Sequence, residues 1–158
     1  MYIKLLGSLL IALAGGGISL SFCRFERKRL CVLDAYISLL FYIKGQIDCY
    51  SRPLCDILAC ADSSLIEACG YRGGVPLSLQ EMLPHAKIYL EGESLRLLMQ
   101  FSDEFGSTYK VEQLRRCDYY IDSLLERRRV LLEEIPSKSR VGSAIWMCAS
   151  FALMIILW

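Results

Sequence analysis

Apolar positions along this chain follow two patterns. At both ends they are continuous, and between the ends they recur at helical intervals. From Leu5 to Cys23 the run LLGSLLIALAGGGISLSFC carries no charge, and neither does VGSAIWMCASFALMIILW from Val141 to Trp158. At about 1.5 Å of rise per residue, each is long enough to cross a hydrocarbon core about 30 Å thick. Gly15, Gly16 and Gly17 weaken a helix in water, but in lipid an unpaired backbone costs more, so the helical form holds. Ser8, Ala12 and Gly16 recur every four residues, as do Ala144, Cys148 and Ala152. Such small-residue stripes let membrane helices approach closely. The pattern predicts one transmembrane helix within residues 1–23 and another over residues 141–158. Ala12-Leu13-Ala14 also resembles a signal-peptidase site. The apolar run passes that site, however, and meets Arg24, Arg27, Lys28 and Arg29, a basic flank typical of a cytoplasmic anchor.

Residues 24–140 read as a helical segment. Leu30, Leu33, Ile37, Leu40, Lys44 and Ile47 keep alternating three- and four-residue spacing, one narrow seam on a helix that continues from the first span. Ser51-Arg52-Pro53 reads as a break followed by a new helix with proline in its first turn. Leu54, Ile57, Leu58 and Ala61 form the apolar face of that helix, and Asp62-Ser63-Ser64 interrupts it. Gly70 to Pro76 is a turn, and its glycine pair follows no strand and precedes no phosphate-binding lysine. Ser78 and Glu81 have capping-box spacing, and Pro84 ends or kinks the helix they start. Glu93 to Phe105 is helical, with Gly106 placed to stop it. Thr108 then caps a long helix over 109–135, whose seam is Leu114, Cys117, Ile121, Leu124, Arg128, Leu131 and Ile135. Pro136 is expected to end this helix. No stretch alternates as a strand does. The expected fold is all-α: an antiparallel helical bundle flanked by an N-terminal and a C-terminal transmembrane helix.

Composition changes this picture little. The chain is 54% hydrophobic and 22% charged, with the apolar excess at its ends, and a net charge of +1 gives no field to gather nucleic acid. Eight cysteines show no C-x-x-C, and His85 is the single histidine, so metal spacing is absent and free thiols are expected. No nucleophile elbow, nucleotide-binding or zinc-protease motif occurs. The adjacent carboxylates Asp103-Glu104 and Glu133-Glu134 point to different parts of a helix surface. Neither terminal run holds an ionisable group, which disfavours a transporter. No cofactor and no catalytic residue are expected.

Basic residues set the expected topology. Arg24, Arg27, Lys28 and Arg29 follow the first span, while Lys138 and Arg140 precede the second, so residues 24–140 are expected in the cytoplasm. Arg127, Arg128 and Arg129 lie further out. Helix rise places them about 18–21 Å before the second span, beyond the reach of about 8–10 Å of a screened lipid charge. They read either as a solvated face paired with Glu126, Glu133 or Glu134, or as a partner-binding edge; Arg24 to Arg29 read as the membrane-anchor cluster.

The order of certain elements resembles a known family. Lys4-Leu5-Leu6-Gly7-Ser8 opens the chain, and Ile47-Asp48-Cys49-Tyr50-Ser51-Arg52-Pro53-Leu54 is similar to an I-x-Y-x-x-T-P-L stretch, with Tyr50 displaced by one and Arg52 in place of Thr. Phe101 to Gly106 resembles F-x-x-x-L-G with Phe105 in place of Leu. Gln113 follows where a glutamine is usual, and Val141-Gly142 opens the last span. The chain thus resembles the stage III sporulation protein AB family nearly end to end, with residues 62–90 matching poorly. The resemblance implies a non-enzymatic subunit of a secretion-like channel complex between mother cell and forespore. It implies a place in the mother-cell membrane facing the forespore, and a cytoplasmic part similar to type II secretion and type IV pilus platform proteins. The implied partners are the companion stage III sporulation ATPase, protein AA, and other channel subunits, besides membrane lipid; self-association stays open. The alternative is a generic two-span membrane adaptor unrelated to sporulation. A thiol-based redox protein, a third class, requires a cysteine of depressed pKa.

Overall fold

The computed structural model describes residues 2–50, 53–90, 92–105 and 109–157; in its long helices it describes the side chains of 17, 20, 21, 23–50, 110–135 and scattered positions from 141 to 152. Six α-helices account for the regular structure: α1 (Tyr2–Tyr50), α2 (Leu54–Ala59), α3 (Ser63–Ala68), α4 (Leu79–Ala86), α5 (Glu93–Glu104) and α6 (Lys110–Leu157). No strand occurs among the described residues, so the chain is all-α. It divides into two compact units, one formed by Lys28–Val130 and the other by Met1–Arg27 with Leu131–Trp158.

Side-chain pairs set the directions within Lys28–Val130. Asp34 meets Arg128 and Lys44 meets Asp118, so ten residues up α1 match ten residues down α6. Lys110 continues this antiparallel register, its Nζ donating to the Asp48 carbonyl at 2.6 Å. Glu93 meets Arg127 and Glu104 meets Arg116, so α5 also runs against α6. The Tyr36 hydroxyl donates to the Met82 carbonyl and Arg29 Nε to the Tyr89 carbonyl, which runs α4 against α1. Gln80 at the start of α4 bonds Asp103 at the end of α5. The result is an up-down-up-down bundle of α1, α4, α5 and α6, into which α2 and α3 are inserted. The Tyr42 hydroxyl ties α1 to the end of α2 through the Cys60 carbonyl at 3.1 Å.

The core is wider than the seam in the sequence. Val32, Tyr36, Leu39 and Ile43 are buried along with Leu33, Ile37, Leu40 and Ile47, because α1 is covered by α2, α4 and α6 together. Lys44 stays at the edge and pairs with Asp118. On α6, Cys117, Ile121 and Leu124 are buried as the spacing predicts, joined by Tyr120. Each large aliphatic side chain fully removed from water contributes about 1.5–3 kcal/mol.

Helix ends differ from the sequence reading at three places. Pro53 is the N-cap of α2, not a first-turn residue: its ψ of 153° is extended, and its carbonyl accepts from Asp56 and Ile57 N–H. Ser78 caps α4 by accepting from Glu81 N–H, but the Glu81 carboxylate turns to Leu77 N–H and the Tyr71 hydroxyl. Only half of a capping box therefore forms, because the loop competes for its acid. Pro136 does not end α6, which continues to Leu157. One proline removes one backbone bond, at about 3 kcal/mol, whereas stopping the helix there unpairs several groups at once. Asp62 interrupts as expected and starts α3, its carboxylate accepting from Ser64 N–H at 3.0 Å. Pro84 lies inside α4. The break at Ser51-Arg52, Gly106 and the Thr108 cap lie outside the described residues.

Among the described residues, one helical stretch near the N-terminus, Cys23–Tyr50, is long and apolar enough to cross a membrane. Half of its apolar window is buried inside the protein, with Leu33, Tyr36, Leu39, Leu40 and Ile43 shielded from solvent. Asp34 and Lys44 within it are ion-paired. These features make it the core helix of the bundle. Residues 5–23 and 141–157 of the uncharged runs are helical in backbone, but most of their side chains, including Ser8, Ala12 and Gly16, lie outside those described. Ala144, Cys148 and Ala152 are exposed.

Candidate interaction surface

Three consecutive helical residues point in three directions, about 100° apart. Arg127 accordingly reaches α5, with NH1 3.1 Å from Glu93 Oε2. Arg128 reaches α1 and grips Asp34 with two bonds, 2.5 Å from Nε and 3.4 Å from NH2. Arg129 folds back one turn to Glu126, at 3.1 and 2.7 Å. Each guanidinium of the sequence-predicted basic edge thus has a carboxylate, and two of the three bind α6 to its neighbours. Glu126 is held below the usual carboxylate range, chiefly by the Arg129 bond. The Nε of Arg127 is buried and meets no acceptor among the described residues. Arg129, 68% exposed, is the most exposed of the three.

The second basic cluster is split. Arg24 and Arg27 are exposed. Lys28 lies over the Tyr89 ring, 5.0 Å from its centroid, and Arg29 holds the carbonyl of the same residue at 3.0 Å. Nothing local in the sequence marks Tyr89 as their partner, since sixty residues separate it from Arg29.

Three of the motif residues meet in space. Phe101 is buried, 5.3 Å from the Phe105 ring and 5.4 Å from the Tyr120 ring by centroids. Gln113 borders the same small crevice. The Tyr120 hydroxyl donates to Glu104, which also accepts from Arg116. Burial first, then the Glu104 bond, pushes Tyr120 up to about 12. This cluster joins the end of α5 to α6. Pro53 and Leu54 stand apart at the head of α2.

The Gly70–Pro76 turn is built around Tyr71. This ring is buried, packs edge-on against His85, and donates its hydroxyl to Glu81 at 2.8 Å. A Cβ at Gly73 would strike that hydroxyl, so the position needs glycine. Leu77 N–H first, then Tyr71, hold the Glu81 carboxyl below its ordinary range.

Surface concavities are shallow and mixed in charge. The larger groove along α5 and α6, about 710 Å³, is bordered by Glu93, Arg96, Gln100, Tyr119, Asp122 and Arg127. A second of about 500 Å³ lies between α2, α3 and the turn, against Leu58, Ile66, Tyr71 and Val75. Neither has the closed apolar floor of a small-molecule site. Among the described residues no group of three metal-ligating side chains gathers. All eight cysteines carry thiols rather than disulfides. Burial pushes Cys69 up to about 12 and Cys117 up to about 11, the opposite of redox activation. Comparison with protein-family models, with curated proteins and with solved structures finds no match to this chain.

Proposed function

We propose that the protein is a two-span, non-enzymatic platform subunit of the secretion-like channel complex between mother cell and forespore, engaging the companion stage III sporulation ATPase from the cytoplasm. The observation that carries this reading is the order and spacing of Ile47 to Leu54, Phe101 to Phe105 and Gln113, on a chain whose first and last helices extend into uncharged runs. The helical fold, the shallow charged grooves and the inactivated buried thiols support it. In this reading residues 5–23 and 141–158 cross the membrane, and residues 24–140 face the cytoplasm. Arg127 to Arg129 form the partner edge with divided roles: Arg127 and Arg128 hold the bundle together, and Arg129 makes the contact.

The test is affinity purification of the full-length protein from sporulating cells in mild detergent. The ATPase should co-purify with the wild type and drop away with Arg129→Glu, while membrane fractionation is unchanged. A wild type that never retains the ATPase, in cells whose sporulation is indifferent to its deletion, would refute the proposal and favour the unrelated adaptor.

A further inference from the structure

The α4–α5 connection presents an apolar residue to water beside a group of cations. Ile88 is 64% exposed and follows Lys87, also exposed. Tyr89, next in sequence, is clamped by the Lys28 ammonium over its ring and by the Arg29 guanidinium on its carbonyl. The start of α5 is tied down separately by Glu93 and Arg127. Ile88 is therefore presented from a connection anchored on both sides, on the same end of the bundle as Lys28 and Arg29.

Lys28 follows Cys23, the last residue of the first uncharged run, by five residues in sequence. Arg24 and Arg27 fall in that interval. Lys87, Lys28 and Arg29 make this end of the bundle cationic, and an exposed branched aliphatic sits beside them. Cations flanking an apolar side chain match an anionic bilayer surface: headgroups attract the charges, and the aliphatic group enters the boundary between headgroups and chains.

We propose that the α4–α5 connection is a membrane contact in its own right, with Ile88 inserted at the interface of an anionic bilayer and Lys87, Lys28 and Arg29 around it. It rests on the reading that residues 5–23 span the membrane. Ile88 then acts as a third point of attachment that sets the tilt of the bundle over the lipid, a constraint that two helical anchors alone do not supply.

The experiment uses the full-length protein in nanodiscs of phosphatidylcholine with a minority of phosphatidylglycerol, with and without dibrominated chains. Trp146→Phe and Trp158→Phe remove the native indoles, and Ile88→Trp or Val111→Trp adds one reporter. Val111 is exposed beside Lys110, whose partner Asp48 marks the opposite end of the bundle. Far-UV circular dichroism verifies that each variant is folded. The Ile88→Trp emission is expected to fall by about half or more in brominated discs, as for a side chain about 5–10 Å inside the headgroup boundary. The Val111→Trp emission should hold, and replacing phosphatidylglycerol by phosphatidylcholine should weaken the first effect. Native Trp146, read alone after Trp158→Phe, reports the second span. Quenching of Trp146 with none at position 88 overturns this inference but leaves the anchor reading standing, and points to a protein partner for Ile88. Absence of quenching at all three positions overturns both. Equal quenching at 88 and 111 overturns the inference too, because the bundle then lies flat on the surface.

Discussion

Arg128→Glu should destabilise the bundle, whereas Arg129→Glu should not. Arg128 spans the gap between α6 and α1 with two bonds to Asp34. Replacing it by glutamate removes that pair and sets two carboxylates against each other. An exposed pair contributes about 0.2–1 kcal/mol, with a two-bond geometry at the upper end. Repulsion at about 4 Å amounts to roughly 1 kcal/mol in water and 4 kcal/mol at the effective dielectric of a protein surface. Both side chains are 40% exposed, so screening holds this contribution to about 1–2 kcal/mol. The total is about 2 kcal/mol, a fall of about 1 M in urea midpoint for a small bundle. The assay is urea unfolding of the full chain in detergent, followed by far-UV circular dichroism. Asp34→Arg combined with Arg128→Glu reverses the pair and should recover most of the loss. Arg129→Glu opposes Glu126 on the exposed side of one helix and should leave the midpoint nearly unchanged. The reasoning fails if the two single variants unfold alike, or if the reversed pair recovers nothing. It also bears on function, since a partner lost with Arg128→Glu reports the fold, and a partner lost with Arg129→Glu reports the surface.

Phe101→Ala should cost about 3–5 kcal/mol in the same assay, because it empties the space between Phe105 and Tyr120; a loss under about 1 kcal/mol would show that the cluster is not closely packed. The carboxyl of Glu81 is depressed in the folded chain, so its contribution is present above the unfolded value of about 4.3 and lost as pH falls through the lower folded value. Pepsin should accordingly nick the Gly70–Pro76 turn increasingly on acidification, and Glu81→Gln should be nicked even at the upper end of pepsin's range; an unchanged pH profile in that variant removes Glu81 from the turn's stability. With Cys69 pushed up to about 12 and Cys117 up to about 11 by burial, both should alkylate slowly in the folded protein and promptly in urea, as peptide mapping will show. Fast labelling of Cys69 without denaturant would contradict its burial. Cys55 and Cys60, both exposed, should resist an impermeant maleimide in intact cells and react once the cells are opened; reaction in intact cells reverses the proposed topology.

The sequence by itself determined what local periodicity and local chemistry control. The 3-4 spacing of Leu33, Ile37, Leu40 and Ile47 on α1, and of Cys117, Ile121 and Leu124 on α6, specifies helices and the residues they bury. Asp62 and Ser78 are read as helix starts because a short acceptor reaches a backbone N–H only two or three residues away. The tertiary structure decided which groups at a distance satisfy one another. Glu81 leaves the capping box for Tyr71 and Leu77 because a loop ten residues upstream in sequence lies against it. Arg128 sits on the apolar seam of α6, where periodicity alone gives it no reason to be, and is accommodated because Asp34, 94 residues away, stands opposite. Arg127 to Arg129 look like one basic patch in a string of letters, but helical rotation sends each to a different carboxylate. Lys28 and Arg29 look like lipid anchors, and the structure adds Tyr89 as a partner of both. Charge is additive along a sequence but is neutralised pair by pair in space, and only the packing of α1, α5 and α6 settles those pairs.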